Sequence, residues 1–209
     1  MRPGAGKGSA PVGVGAEAAV AGGALARHTV YNVLGQGLPL LVALAAVPVL
    51  LRGVGEARFG VLGLVWMLST LLGEVGFARA GTRFAADALG AGRCSAVAGI
   101  LRTTLLAQFA VGVLLGGALA WATPWLVDGV FGVAEELRGE AVTSFLLVAA
   151  ATPALTVGAA LRGQLEAAHR FGSLNMVRFT GNALTYLAPV AALGAGWGLV
   201  GMVALVLAV

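Results

Sequence analysis

The sequence is short of charged residues, cysteine and histidine. Only 11% of its 209 residues are charged, against roughly 25% in ordinary soluble domains, whereas 59% are hydrophobic and the mean hydropathy is +0.94. Cys94 is the single cysteine, and the two histidines, His28 and His169, lie far apart. An intrachain disulfide is therefore excluded, and we expect neither a metal site nor another cofactor. The composition argues against a soluble domain and predicts a protein solvated by lipid.

Long apolar runs predict an all-α fold, a polytopic bundle of transmembrane helices. Residues 1–28 are rich in Gly and Ala and are expected to form a disordered cytoplasmic tail, and residues 29–209 a six-helix transmembrane lobe. Five of the runs approach the ~20 residues that cross ~30 Å of hydrocarbon, and the sixth is expected to be cut short. The predicted spans are about 31–51, 59–75, 103–122, 141–161, 174–193 and 197–209.

The basic residues are distributed unevenly between the two sides of this predicted bundle. Ten fall on the side of the N-terminus: Arg2, Lys7, Arg27, Arg79, Arg83, Arg93, Arg102, Arg162, Arg170 and Arg178. Only Arg52, Arg58 and Arg138 fall on the other side. Since Lys and Arg are retained in cytoplasmic loops, the N-terminus is predicted to be cytoplasmic. No basic run is interleaved with aromatic residues, so we expect no nucleic-acid partner.

The fifth span carries a polar stripe. Its residues Asn175, Arg178, Asn182, Tyr186 and Pro189 are spaced 3, 4, 4 and 3 apart, which places them on one helix face at ~100° per residue. In one interpretation, the amide and hydroxyl groups bond a neighbouring helix and the arginine reaches the headgroups. In the other, the stripe faces a hydrophilic cavity.

Other polar residues concentrate toward the cytoplasmic ends of the spans, which favours a cavity open to that side. Guanidinium groups there would suit phosphate oxygens. The candidate substrate-binding residues are Arg178, Asn182, Arg102, Arg79, Gln36 and Asn32. Glu74, at the end of the second span, is a candidate coupling group or, more simply, an ion-pair partner of Arg79 or Arg178.

The third span combines polar and small residues. Thr104 and Gln108 lie in its cytoplasmic half. The spacing Gly112-Val-Leu-Leu-Gly116 permits close contact with another helix. In a sequence with 33 glycines such a spacing is only a weak signal of that contact.

Three segments carry a family resemblance. Asn32-Val-Leu-Gly-Gln-Gly-Leu-Pro-Leu-Leu41, with the following Pro48–Arg52 and Gly55–Gly60, resembles the opening of bacterial polysaccharide-export flippases. The blocks Glu74–Asp87 and Arg162–Phe171 agree with it. These flippases belong to the multidrug/oligosaccharidyl-lipid/polysaccharide superfamily, and the resemblance covers roughly residues 30–200.

The resemblance implies a multi-pass transporter of the bacterial inner membrane rather than an enzyme. It would move undecaprenyl-pyrophosphate-linked oligosaccharides, of the O-antigen type, by alternating access between two six-helix lobes. The expected partners are the lipid-linked oligosaccharide, membrane lipids, and a missing C-terminal lobe or partner chain. Family flippases hold the pyrophosphate with basic residues in a cationic cavity, which points here to Arg178 first, and then to Arg102 and Arg79.

Three alternatives stay open. A drug or metabolite antiporter of the same superfamily would hold cations with acidic residues, whereas the candidate cavity is richer in Arg than in Glu. A membrane-embedded enzyme should show a pair of His, Asp or Glu near a span, and no such pair is visible. The third is an inactive fragment or a half-transporter.

Overall fold

Helices form all the regular structure of the part of the chain that is described here. The computed structural model describes residues 40–168 and 170–208. Its helices are α1 (Leu40–Val54), α2 (Glu56–Glu74), α3 (Ala78–Gly90), α4 (Cys94–Trp125), α5 (Arg138–Ala167), α6 (Phe171–Gly194) and α7 (Leu199–Leu207). The all-α class is confirmed. The predicted tail and the start of the first span lie outside the described residues.

Three helices are long and apolar enough to cross a membrane, which indicates a membrane protein. They are Glu56–Glu74, Cys94–Val130 and Glu135–Ala167, and they correspond to the second, third and fourth predicted spans. The described part of α1 is shorter, and α7 has nine residues. α6 has 24 residues but is not among the three, because polar residues along it lower its hydropathy. Five complete spans therefore remain a prediction.

The short helix α3 is an element that hydropathy did not predict. Its 13 residues lie where the sequence analysis places only a connection between two spans. Gly81 packs against Thr104 of α4, and Thr82 packs against Gly163 of α5, while Arg79 is exposed. Because apolar and polar residues alternate around the helix, it contains no long apolar run, and a search for such runs passes over it.

The third predicted span does pack closely against a neighbour. A Cβ atom placed on Gly112 of α4 would lie 2.5 Å from Cα of Pro153 in α5. A Cβ atom on Gly116 would overlap the carbonyl oxygen of Ala149. Only glycine allows the two backbones to come this near, so the close contact that the small-residue spacing permits is present here.

α5 is the central helix of the described bundle, since α2, α3, α4, α6 and α7 all pack against it. Its Phe145 is fully buried and meets the ring of Phe131 edge to face, with ring centroids 5.8 Å apart. The core around it is formed by apolar side chains, among them Leu50, Val61, Leu62, Val65, Leu119, Val148, Leu199 and Val203.

Ion pairs fasten the end of the bundle at which α4 turns into α5. Both guanidinium nitrogens Nε and Nη2 of Arg58 donate to Glu140, at 3.0 and 2.9 Å. Arg138 pairs with Asp128 at 2.6 Å and with Glu135 at 3.7 Å. We call this the acidic end, and the opposite end, which carries Arg79, Arg83, Arg162 and Arg178, the basic end.

Candidate functional site

The polar stripe of α6 faces α2. Arg178 and Asn182 are exposed, and Tyr186 is partly buried. The ring of Tyr186 packs edge to face against Trp66 of α2, with centroids 5.2 Å apart. Because Arg178, Asn182 and Tyr186 follow one another at four-residue intervals, they share the helix face that this contact orients. The stripe therefore lies along α2 and not only against lipid.

α2 presents a matching stripe. Trp66, Thr70 and Glu74 recur at four-residue intervals, and α2 runs from the acidic to the basic end whereas α6 runs back. Glu74 and Arg178 thus each lie eight residues, or about 12 Å of helix, from the contact between Trp66 and Tyr186.

The backbones of α2 and α6 remain apart along this shared length. Hardly any of their Cα atoms approach within 8 Å of each other, whereas both helices pack on α5. We call the surface between these two helices, on the side of Trp66 and Tyr186, the α2–α6 cleft. It is bordered by Trp66, Ser69, Thr70, Glu74, Arg178, Asn182 and Tyr186.

Charged side chains gather where the cleft reaches the basic end. Arg162 and Glu166 of α5, Arg178 of α6 and Glu74 of α2 all lie at this end, and the charges of Arg178 and Glu74 both act on the Arg162 guanidinium. Nη2 of Arg178 lies 4.0 Å from Oε2 of Glu166, and both of these side chains are about half exposed. We call Arg162, Arg178, Glu74 and Glu166 the basic-end cluster.

The structure brings together part of the predicted set of site residues. Arg178, Asn182 and Glu74 border one cleft. The sequence suggested Arg79 or Arg178 as the ion-pair partner of Glu74. Among the described residues, neither lies within 4.0 Å of its carboxylate, and Arg178 lies 4.0 Å from Glu166. Glu74 interacts instead with the charge of Arg162.

The other predicted site residues lie elsewhere or are not described. Arg79 on α3 and Arg102 on α4 are exposed at the basic end. Neither of these two helices packs extensively on α6, so the described structure does not bring these arginines into the cluster. Asn32 and Gln36 lie outside the described residues.

Gln108 is used within the protein. It is fully buried, and its Oε1 accepts a hydrogen bond from the backbone N–H of Phe77 at 2.8 Å. Its Nε2 donates to the carbonyl oxygens of Thr156 at 3.3 Å and Val75 at 3.4 Å. The side chain thus ties the connection between α2 and α3 to α4 and α5. Its location toward one end of the third span reflects this role in holding the connection, not a place in the cleft.

Two members of the basic-end cluster, Arg162 and Glu166, were not predicted as site residues from the sequence. Arg162 and Glu166 are four residues apart on α5, a spacing that puts opposite charges on one helix face. Arg162 also opens the third block of the family resemblance. The four-residue spacing of these opposite charges is a signal by which they could have been identified. Their position beside Arg178, however, depends on how α5 and α6 pack.

Within the described ranges, no group of three His, Cys, Asp or Glu residues is placed to hold a metal ion. No protein-family model matches the chain, and no curated protein or solved structure is significantly similar to it.

Proposed function

We propose that the chain is one lobe of a flippase that moves undecaprenyl-pyrophosphate-linked oligosaccharide across the bacterial inner membrane for polysaccharide biosynthesis. The observation that carries the proposal is that arginines from two helices lie around one carboxylate: Nη2 of Arg178 on α6 is 4.0 Å from Oε2 of Glu166, and Arg162 lies one turn before Glu166 on α5. The resemblance in the blocks around residues 74–87 and 162–171 supports the same function. No catalytic residue is assigned, because transport makes and breaks no bond.

The paired arginines favour a multiply charged anion. Two guanidinium groups held near each other repel, and a diphosphate between them removes that repulsion while accepting several N–H donors. Glu166 balances the charge of Arg178 when no substrate is bound. Since the Arg178–Glu166 pair is half exposed and 4.0 Å apart, it is weak. Phosphate oxygens can therefore replace the carboxylate.

The proposal includes the predicted topology. Five spans and part of a sixth, with a cytoplasmic N-terminus, place the basic end in the cytoplasm. The diphosphate then enters from that side while the polyprenyl tail stays in lipid, and a second lobe closes the open side of the α2–α6 cleft. Arg79, Arg102, Asn32 and Gln36 are candidates for guiding the substrate at the same end.

An antiporter that carries cations is the second candidate function. Glu74 at the end of the cleft favours it, since a carboxylate attracts a cation. The neighbouring Arg162 opposes it, because its positive charge attracts the same carboxylate. The charges of the cluster balance, two arginines against two carboxylates, so the preference for an anion rests on the ability of two guanidinium groups to bind phosphate oxygens and on the family resemblance.

The test is binding of undecaprenyl diphosphate to the chain in lipid nanodiscs, with uncharged undecaprenol as the comparison ligand. We expect the wild type to bind only the diphosphate, and Arg162→Ala and Arg178→Ala each to weaken binding by about tenfold, since each removes a charged hydrogen-bond donor. Arg83→Ala, on the exposed side of α3, is the matched control and should bind like the wild type.

An export assay extends the test to transport. The intact parent protein is expressed in cells that lack their own flippase, and surface polysaccharide is measured. Arg178→Ala should reduce export without reducing the amount of protein in the membrane. Equal binding of undecaprenol and undecaprenyl diphosphate, or normal export by Arg178→Ala, would count against the proposal.

A further inference from the structure

The inner end of the α2–α6 cleft contains buried polar atoms that lack partners. Nε1 of Trp66 and Oγ of Ser69 are both buried, and neither has a hydrogen-bond partner among the described residues. Trp66 and Ser69 are three residues apart and so lie on one face of α2. Buried polar groups are nearly always bonded, so two unsatisfied groups in adjacent turns require an explanation.

Two aromatic rings pack against the indole of Trp66. Trp66 meets Tyr186 at 5.2 Å and Phe59 at 6.1 Å between ring centroids, both in edge-to-face geometry. The exposed side chains of Thr70 and Asn182 follow one turn nearer to the basic end. Rings beside hydrogen-bonding groups suit a ligand that has both apolar C–H faces and hydroxyl groups, and carbohydrate has this combination.

We infer that Trp66, Ser69, Asn182 and Tyr186 form a carbohydrate subsite, into which the sugars of the lipid-linked substrate extend from the diphosphate at the basic-end cluster. This inference rests on the proposed function. The eight residues that separate Trp66 from Glu74 correspond to about 12 Å along the helix, a distance that a short oligosaccharide can cover. The sugars would thus point toward the middle of the membrane, which is the direction of transport.

Tyr186 controls access to the subsite. Because Nε1 of Trp66 is buried and the Tyr186 ring packs against the indole, we expect a sugar hydroxyl to reach this N–H only after the Tyr186 ring turns away. Tyr186 is partly exposed on the cleft side, so this rotation does not require the helices to separate. Binding then replaces the contact between the rings of Tyr186 and Trp66 with a hydrogen bond from the indole N–H to the sugar. This exchange changes the surroundings of Trp66.

The test compares two ligands that differ only in their sugars: undecaprenyl diphosphate, and undecaprenyl diphosphate that carries a trisaccharide. Replacing Trp121, Trp125 and Trp197 with Phe leaves Trp66 as the single tryptophan of the chain, so its fluorescence reports on the subsite. In nanodiscs, we expect both ligands to bind, but only the glycosylated one to change the Trp66 emission. Its affinity should be higher by about tenfold, the effect of roughly one added hydrogen bond.

Variants then test which residues produce the gain in affinity from the trisaccharide. With radiolabelled ligands, Trp66→Phe keeps a ring but loses the N–H, and Ser69→Ala loses only the hydroxyl. Both should bind undecaprenyl diphosphate like the wild type but lose the gain from the trisaccharide. Trp121→Phe, at an exposed site on α4, should keep that gain. Ser69→Ala removes one atom, so it still tests the subsite if Trp66→Phe fails to fold.

The outcomes separate the two proposals. If the wild type binds both ligands equally and the Trp66 emission stays constant, the subsite is overturned, whereas the diphosphate site stands. If neither ligand binds, the proposed function fails and the subsite fails with it. If Ser69→Ala and Trp66→Phe both retain the full gain, the sugars bind elsewhere.

Discussion

The backbone N–H of Phe77 donates a 2.8 Å hydrogen bond to Oε1 of Gln108, a residue 31 positions further along the chain. Between α2 and α3, Gly76 has a φ of +115°, so the backbone there adopts a conformation that favours glycine. A Cβ atom on Gly76 would overlap Oε1 of the same glutamine. One buried amide therefore fixes both the position and the residue type of this connection.

Replacing Gly76 with alanine should destabilise the protein by more than backbone strain alone. The strain of a positive φ is about 1–3 kcal/mol, and the overlap with Gln108 adds to it. The matched control is Gly92→Ala, where φ is +69° and nothing lies within 4 Å of the new Cβ atom. The measurement is the thermal unfolding midpoint in detergent micelles, where Gly76→Ala should fall further than Gly92→Ala.

A double-mutant cycle then attributes the excess to Gln108. Removing that side chain with Gln108→Ala also removes the overlap, so the two substitutions together should cost less than the sum of their separate losses. Strict additivity, or equal losses for Gly76→Ala and Gly92→Ala, would show that the glutamine does not constrain the glycine.

The contact between α4 and α5 predicts a contrast between two glycines of the same helix. Gly112→Ala would place a methyl group against the backbone of Pro153, and overpacking of this kind destabilises by about 1–3 kcal/mol. Gly117→Ala meets nothing within 4 Å, so it should be neutral or slightly stabilising, because alanine is the better helix former. Unfolding midpoints in detergent check both variants, and a loss at Gly117 as large as that at Gly112 would contradict the packing.

The predicted orientation can be checked with Cys94. It is the single cysteine of the sequence, and it is exposed at the start of α4. If the basic end is cytoplasmic, a maleimide that does not cross membranes should leave Cys94 unlabelled in intact cells and label it after permeabilisation. As a control, Ala134→Cys in a Cys94→Ser background puts an exposed thiol at the acidic end, which should react in intact cells. The reverse labelling pattern would invert the topology.

Hydropathy predicted the helices that can be recognised from one continuous stretch of sequence. α2, α4 and α5 are long and nearly uniformly apolar, so their existence could be predicted from single stretches of sequence. α3 could not be found in this way, because its small residues Gly81 and Ala85 are buried in packing against α4 and against α5, which comes from a distant part of the chain. The spacing of Gly112 and Gly116 permits the contact that the structure shows, but spacing alone is a weak signal and does not reveal that α5 is the partner.

The candidate site likewise has a part that the local sequence predicted and a part that depends on tertiary packing. The stripe on α6 follows from helical periodicity, and it did place Arg178 beside Asn182 and Tyr186. Which charges surround Arg178 depends on tertiary packing, and the sequence therefore suggested Glu74 where the structure has Glu166 within 4.0 Å. Gln108 resembled the cleft residues in its polarity and depth, but whether a buried amide bonds to a backbone or to a ligand is decided by the fold.

The close approach of α4 and α5 also determines where a polar solute can go. At Gly112 and Gly116, there is no room for a methyl group between the two backbones, and hence none for water or a sugar ring. This flank of the bundle is sealed along the middle of both helices. A polar solute therefore cannot pass between α4 and α5 at this level.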